Sequence, residues 1–112
     1  MQFMVTAKAK PSIEPPTDHM PAIAETGLKQ MEYVKDLERK GKVKFAAPFP
    51  VEWGGVMILD VDSADEVNSV VLNFPASPWF NWTVEALSSW EGIGSNLARY
   101  RDSMKQMLSK NT

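Results

Sequence analysis

His19 is the only histidine in the chain, and no other side chain has an unperturbed pKa so close to neutrality, the property that proton transfer needs. It stands just ahead of a helix start, where the rim of a pocket can lie; the competing role is a solvated loop histidine. Two carboxylates, Asp60 and Glu85, sit inside runs rich in apolar residues. A carboxyl buried in such a run has a raised pKa and can serve as a general base near neutral pH. Asp60 falls at a strand end, where capping or bracing the following turn is the alternative. Glu85 can instead pair with Lys8 across a sheet. Lys8, Tyr33 and Asn81 are polar side chains able to stabilise the negative charge that develops when a proton is taken. Glu32 and Tyr33 lie off the apolar stripe of the first helix, Glu32 as a solvated residue and Tyr33 as a border of the space between helix and sheet.

Aromatic rings supply the second signal. Trp53, Trp79, Trp82, Phe80 and Phe49 fall at or near strand ends, where they can line a pocket for a flat apolar ligand, although core and dimer packing account for some of them equally well. With one histidine and no cysteine, a metal would have only carboxylate sites, and no calcium-loop spacing is present. Gly54-Gly55 precedes a strand instead of a helix, so it is not a phosphate-binding loop, and no G-x-S-x-G elbow occurs.

The elements that must position these residues are readable in order. Gln2 to Lys10 alternates, with Phe3, Val5, Ala7 and Ala9 on one face and Gln2, Met4, Thr6, Lys8 and Lys10 on the other. Prolines 11, 15, 16 and 21 make residues 11–21 a loop, with Pro21 placed to open a helix. Ala24, Leu28, Met31, Val34 and Leu37 form a helical stripe that Gly41 ends. Val43 to Phe49 is a second strand. The apolar run Val56 to Val61 is a third, suited to the middle of a sheet. It leads straight into a helix that Ser63 and Glu66 cap, with Val67, Val70, Val71 and Phe74 on one stripe. A turn over Phe74–Pro78 precedes a strand from Trp79 to Leu87, in which Phe80, Trp82, Val84 and Ala86 alternate with Trp79, Asn81, Thr83, Glu85 and Leu87. Gly92 and Gly94 break the chain before a last amphipathic helix carrying Leu97, Tyr100, Met104, Met107 and Leu108.

This order, β-α-β-β-α-β plus a terminal helix, is the ferredoxin-like α+β arrangement, with both helices on one face of an antiparallel sheet. The division expected is a domain over residues 1–90 and a helical extension over 91–112. Met4 with Trp and Phe side chains on the uncovered face would form a patch too large to leave wet, which predicts a second copy packed sheet to sheet. The terminal helix is expected to dock on a partner subunit or across the pocket. A net charge of −2 gives no broad attraction to nucleic acid or to an anionic membrane. No apolar run approaches membrane-spanning length, the start lacks a secretory leader pattern, and the absence of cysteine fits a cytoplasmic protein.

The segments Gly41-Lys42, Ile58-Leu-Asp-Val-Asp-Ser63, Leu72-Asn-Phe-Pro75 and Val84-Glu-Ala-Leu87, together with the Met-Pro before the first helix, resemble the muconolactone isomerase-like proteins over roughly residues 20–87. The resemblance implies a dimeric α+β barrel that moves a proton within a small unsaturated lactone, without metal or organic cofactor. It also implies an acid–base pair midway along the first helix, where this chain has Gln30, Met31 and Glu32. The long proline-rich first loop, the extra tryptophans and the terminal helix depart from that family.

These readings converge on a cofactor-independent isomerase or cyclase acting on a small apolar or aromatic metabolite, within a homodimer or larger homo-oligomer. His19 or Glu85 would take the proton, Lys8, Tyr33 or Asn81 would steady the charge, and Trp53, Trp79, Phe80, Trp82 and Phe49 would hold the substrate. The rival readings are a non-catalytic small-molecule binding protein and a cofactor-free oxygenase.

Overall fold

The computed structural model describes residues 1–11 and 20–110. The elements are β1 (Gln2–Ala9), α1 (Met20–Arg39), β2 (Val43–Pro48), β3 (Gly54–Asp60), α2 (Ala64–Leu72), a single 3-10 turn (Ser77–Trp79), β4 (Phe80–Leu87) and α3 (Trp90–Lys110). The four strands form one antiparallel sheet in the order β2-β3-β1-β4. With α1 and α2 inserted as they are, this is the ferredoxin-like α+β topology.

Alternation sets the two faces of the sheet. In β1, Phe3, Val5 and Ala7 are buried while Met4 and Thr6 are only half-buried. Val5 stands opposite Met57 on one side and Val84 on the other, so residues of the same parity share a face across three strands. On the covered face Phe3, Val5, Val43, Met57 and Leu59 pack against Leu37 of α1 and Val67, Val70 and Val71 of α2. The open face carries Met4, Thr6, Lys8, Val56, Ile58, Asn81, Thr83, Glu85 and Leu87. The expected tryptophans are absent from it: Trp82 lies opposite Ala7 on the covered face, and the open face takes its aromatic ring from Phe45. A bulge between Val43 and Phe45 is the cause. The inserted residue reverses the parity of β2, turning Phe45 out opposite Ile58 and Ala46 inward against the core.

Helix ends follow local chemistry. Ser63 caps α2 with its hydroxyl accepting from the Glu66 amide at 3.2 Å, while the Glu66 carboxylate accepts from the Asp62 amide at 3.3 Å, one residue earlier than a standard capping box. On α1 the buried line differs from the predicted stripe. Leu37 is buried and Tyr33 and Val34 pack on the core, whereas Leu28 and Met31 are exposed. At the other end, Gly92 and Gly94 do not break the chain. They lie in the opening turns of α3, which Ser89 caps by accepting from the Gly92 amide at 3.0 Å.

α3 stands off the rest of the molecule with none of its residues buried, and Trp90 is 89% exposed. The chain measures 74 × 32 × 24 Å. Among the described residues, no helix is long and apolar enough to cross a membrane.

Candidate functional site

A cavity of about 690 Å³ opens between α1 and the end of the sheet where β2 turns into β3. Two features of the chain create it. The outer half of α1 overhangs the sheet with small or slender residues, Ala24 and Gly27, so it does not fill the space beneath. The β2–β3 connection then curls round the opening, held by hydrogen bonds from the Phe49 amide to the Gly54 carbonyl at 3.0 Å and from the Ala9 amide to the Trp53 carbonyl at 2.9 Å.

Its walls are mainly apolar. Phe49, Trp53, Phe74, Phe80 and Trp82 all reach it, so four of the five predicted binding aromatics are brought together. Trp82 is fixed by an edge-to-face pair with Phe74, centroids 5.2 Å apart, and a second with Phe80 at 5.9 Å. Its indole N–H donates to the Ser77 carbonyl at 3.1 Å, which satisfies the one polar atom of a half-buried ring. Trp79 does not line the cavity; it packs behind the wall, against the small cluster of Ala7, Ala76 and Phe80.

Polar groups are few and arrive from two elements. Gln30, Lys35 and Glu38 come from α1, and Glu52 comes from the β2–β3 loop. A ring of apolar surface with a small number of polar groups suits a small, largely apolar molecule held by one or two oriented contacts. The opposing charges of Lys35 and Glu38 lie three residues apart on one helical face.

Of the residues expected to carry chemistry, none described here lines this cavity. Lys8, Asn81 and Glu85 lie on the open face of the sheet, and all are exposed. The expected Lys8–Glu85 pair is not formed across the sheet, because Lys8 stands opposite Asn81 and Gly54 while Glu85 stands opposite Met4. Asp60 does not brace the following turn; its carboxylate approaches the Met1 amino group at 3.6 Å and the Lys44 ammonium at 3.9 Å. The burial that motivated a proton-accepting role for these carboxylates is therefore missing within one copy. Tyr33 borders the core, edge-on to Phe74 at 5.2 Å, with its hydroxyl donating to the Val70 carbonyl at 2.7 Å. Partial burial pushes its pKa above the ordinary value, so it stays a neutral donor. His19 lies outside the described residues.

Of Gln30, Lys35, Glu38 and Glu52, sequence reasoning named only Gln30, as a residue standing where the family resemblance implies an acid–base pair. A signal for three of them exists: Gly27, Gln30, Met31, Val34, Lys35 and Glu38 recur at helical spacing, one step round from the stripe chosen. Glu52 carries no comparable pattern. Among the described residues, no three acidic or histidine side chains gather as metal ligands.

A family model described as muconolactone delta-isomerase matches residues 1–92. Muconolactone Delta-isomerase from Rhodococcus opacus is 31% identical over 64 residues, covering 57% of this chain and 69% of that protein. Among solved structures, 5-chloro-2-hydroxyhydroquinone dehydrochlorinase from Burkholderia phenoliruptrix, in complex with 2,5-dihydroxybenzoquinone, superposes with a TM-score of 0.63 at 21% identity, over 82% of this chain and 98% of that one. A crystal structure of muconolactone isomerase gives a TM-score of 0.63 at 18% identity, over 80% of this chain and 90% of the other. Most of α3 lies beyond the family match, which ends at its third residue.

Proposed function

Because the chain belongs to the muconolactone delta-isomerase family, we propose that it is a cofactor-independent isomerase or cyclase that moves a proton within a small, flat, oxygenated ring compound. The observation that carries this reading is the aromatic cavity itself, about 690 Å³ with Phe49, Trp53, Phe80 and Trp82 on its walls and only Gln30, Lys35, Glu38 and Glu52 to offer hydrogen bonds or protons. The volume suits a ligand of one or two rings. A carboxylate at the edge of an apolar space, Glu38 or Glu52, takes the proton from carbon and returns it to a neighbouring position. Lys35 or Gln30 steadies the oxygen on which negative charge collects. His19, just before α1, is a further candidate for the same proton. The open face of the sheet is covered by a second copy, as its exposed Phe45 and adjoining Met4 and Ile58 call for, and the cytoplasm is the proposed compartment.

A second reading places the chemistry on that open face. Lys8, Asn81 and Glu85 share it, and two facing sheets would enclose them in a barrel interior.

Proton exchange at carbon, followed by NMR in deuterated water with muconolactone and a panel of small unsaturated lactones and hydroxyquinones, tests both. Loss of about 10²–10⁴ in rate in Glu38→Gln or Glu52→Gln, with Glu85→Gln unaffected, is the result expected. Loss in Glu85→Gln alone moves the site to the sheet face. Binding without exchange for every compound would make the protein a binder only, and oxygen consumption with a bound compound would make it an oxygenase.

A further inference from the structure

We infer that α3 is an assembly helix, and that its occupant is the α3 of a second copy of this chain, paired with it as a short coiled coil. Trp90, Ile93, Leu97, Tyr100, Met104 and Met107 recur at alternating steps of three and four residues over the whole length of α3. That is an unbroken 3.5-residue period, the repeat that keeps one narrow seam facing a partner helix as two helices wind round each other. Trp90, Leu97 and Met104 take one seam position and Ile93, Tyr100 and Met107 the other. Leu108 flanks them.

The structure leaves this seam without cover. Trp90, Ile93, Leu97, Tyr100, Met104 and Met107 are all exposed, and none of them lines the cavity between α1 and the sheet. A single helix of this length, with Gly92 and Gly94 in its first turns, is marginal in water unless its apolar side is packed. Covering the seam would bury on the order of 700 Å² per chain, close to the share that each partner contributes to a stable interface.

Which surface covers it follows from the width of the stripe and the charges beside it. A helix packed on a sheet or lying on a membrane uses a broad apolar face, whereas a stripe confined to the two seam positions is the coiled-coil case. Knobs at a 3.5-residue period need holes at the same period, and α3 is the element of this chain that has them. α1 does not offer a rival seam, since Leu37, Tyr33 and Val34 are packed on the core and the line of its exposed Leu28 and Met31 runs on into the charged Lys35 and Glu38. The positions bordering the seam are Gly94, Asn96, Arg101, Ser103, Leu108 and Lys110. Two copies bring no like charges together here in either direction: Arg101 meets Asn96 when the helices run parallel and Gly94 when they run antiparallel. Glu91, Arg99, Asp102 and Lys105 lie on the wet side.

The chain has no cysteine, so introduced cysteines report contacts cleanly. Single variants Leu97→Cys and Tyr100→Cys on the seam and Asp102→Cys on the outer side would be oxidised as full-length protein at micromolar concentration and run without reductant. Seam positions of paired helices lie within disulfide reach. A parallel pair links each seam variant to itself, and an antiparallel pair links Leu97→Cys to Tyr100→Cys when the two are mixed; either pattern, at least fivefold above Asp102→Cys, supports the proposal. In parallel, Leu97→Glu/Met104→Glu is expected to lose most of the helical circular dichroism of α3 while β-sheet signal persists. Equal cross-linking at the inner and outer positions overturns the proposal. So does linkage of Leu97→Cys to a Val51→Cys reporter on the cavity rim, or retention of full helicity in the double variant. Helix formation that requires anionic vesicles of phosphatidylglycerol also overturns it, in favour of a membrane surface.

Discussion

Replacing Gly54 with alanine should be among the most damaging small changes in the molecule. Gly54 has φ +145°, a region essentially closed to residues with a side chain, and a Cβ built there would stand 2.0 Å from the Ala7 carbonyl oxygen. That oxygen belongs to the backbone of β1, so no rotamer change relieves the clash; β1 and β3 have to separate. Separation endangers the bonds from the Ala9 amide to Trp53 and from the Phe49 amide to Gly54, which hold the rim of the cavity. Backbone strain of about 1–3 kcal/mol and weakening of two hydrogen bonds worth about 0.5–1.5 kcal/mol each give a loss of about 2–6 kcal/mol. Gly41 provides the internal reference. It also has positive φ, +75°, but nothing lies within 4 Å of its Cβ position, so Gly41→Ala should lose only about 1 kcal/mol from backbone conformation. Urea unfolding with unchanged slope measures both, and at about 4–8 °C per kcal/mol the Gly54→Ala protein should melt roughly 8–48 °C lower. If Gly54→Ala is no worse than Gly41→Ala, the close approach of β1 and β3 is not a constraint and the account of the cavity rim is wrong.

Further outcomes follow from single contacts. Tyr33→Phe removes the donor to the Val70 carbonyl and should cost about 1 kcal/mol in chemical denaturation, leaving the edge contact with Phe74 intact. Glu66 is held below its ordinary pKa first by the hydrogen bond from Lys42 and then by the Asp62 amide, so its stabilising effect is complete above the ordinary value of 4.5 and is lost as pH falls through the lower folded-state value. The melting temperature of the wild type should therefore fall more steeply with acid than that of Glu66→Gln, and parallel acid limbs would refute the linkage. Phe45→Glu places a charge on the open face, which is 56% exposed at that residue in a single copy. Combined with Leu97→Glu/Met104→Glu, which removes pairing through α3, it should halve the assembled mass seen by light scattering relative to that double variant while leaving the melting temperature of the monomer nearly unchanged; an unaltered mass removes that face from the interface.

Much of the fold was legible because alternation and capping are local. The two faces of β1, the Ser63 cap and the order of elements need only neighbours in sequence. What escaped depended on partners far along the chain. The parity of β2 reverses at a bulge that no residue near Val43 announces, so Phe45 and not a tryptophan occupies the open face. The absence of a Lys8–Glu85 pair is a matter of register, set by which residues of β1 and β4 stand opposite one another. On α1, two overlapping helical lines satisfy the same periodicity, and only the sheet beneath decides that Leu37 is buried while Leu28 stays exposed. The polar cavity residues were hidden for a related reason. Periodicity identifies a face of a helix, but the hollow opposite Lys35 and Glu38 is made by small residues and a loop from another part of the chain. Gly92 and Gly94 misled because their helix cost, about 1 kcal/mol each, is outweighed by the Ser89 cap and the long helix that follows.

The length of α3 also governs how the protein moves through solution. A radius of gyration of 20.1 Å compares with about 13 Å expected of a compact chain of this size. A body this elongated drags more water and tumbles end over end slowly, so it elutes early from a sizing column, and a single copy can pass for a larger globular species. Frictional ratio and rotational correlation time therefore become direct reports of the helix. Two copies joined in parallel along α3 would gain mass with little gain in length, so sedimentation would speed up more than the elution volume alone would suggest, whereas an antiparallel pair would lengthen the particle.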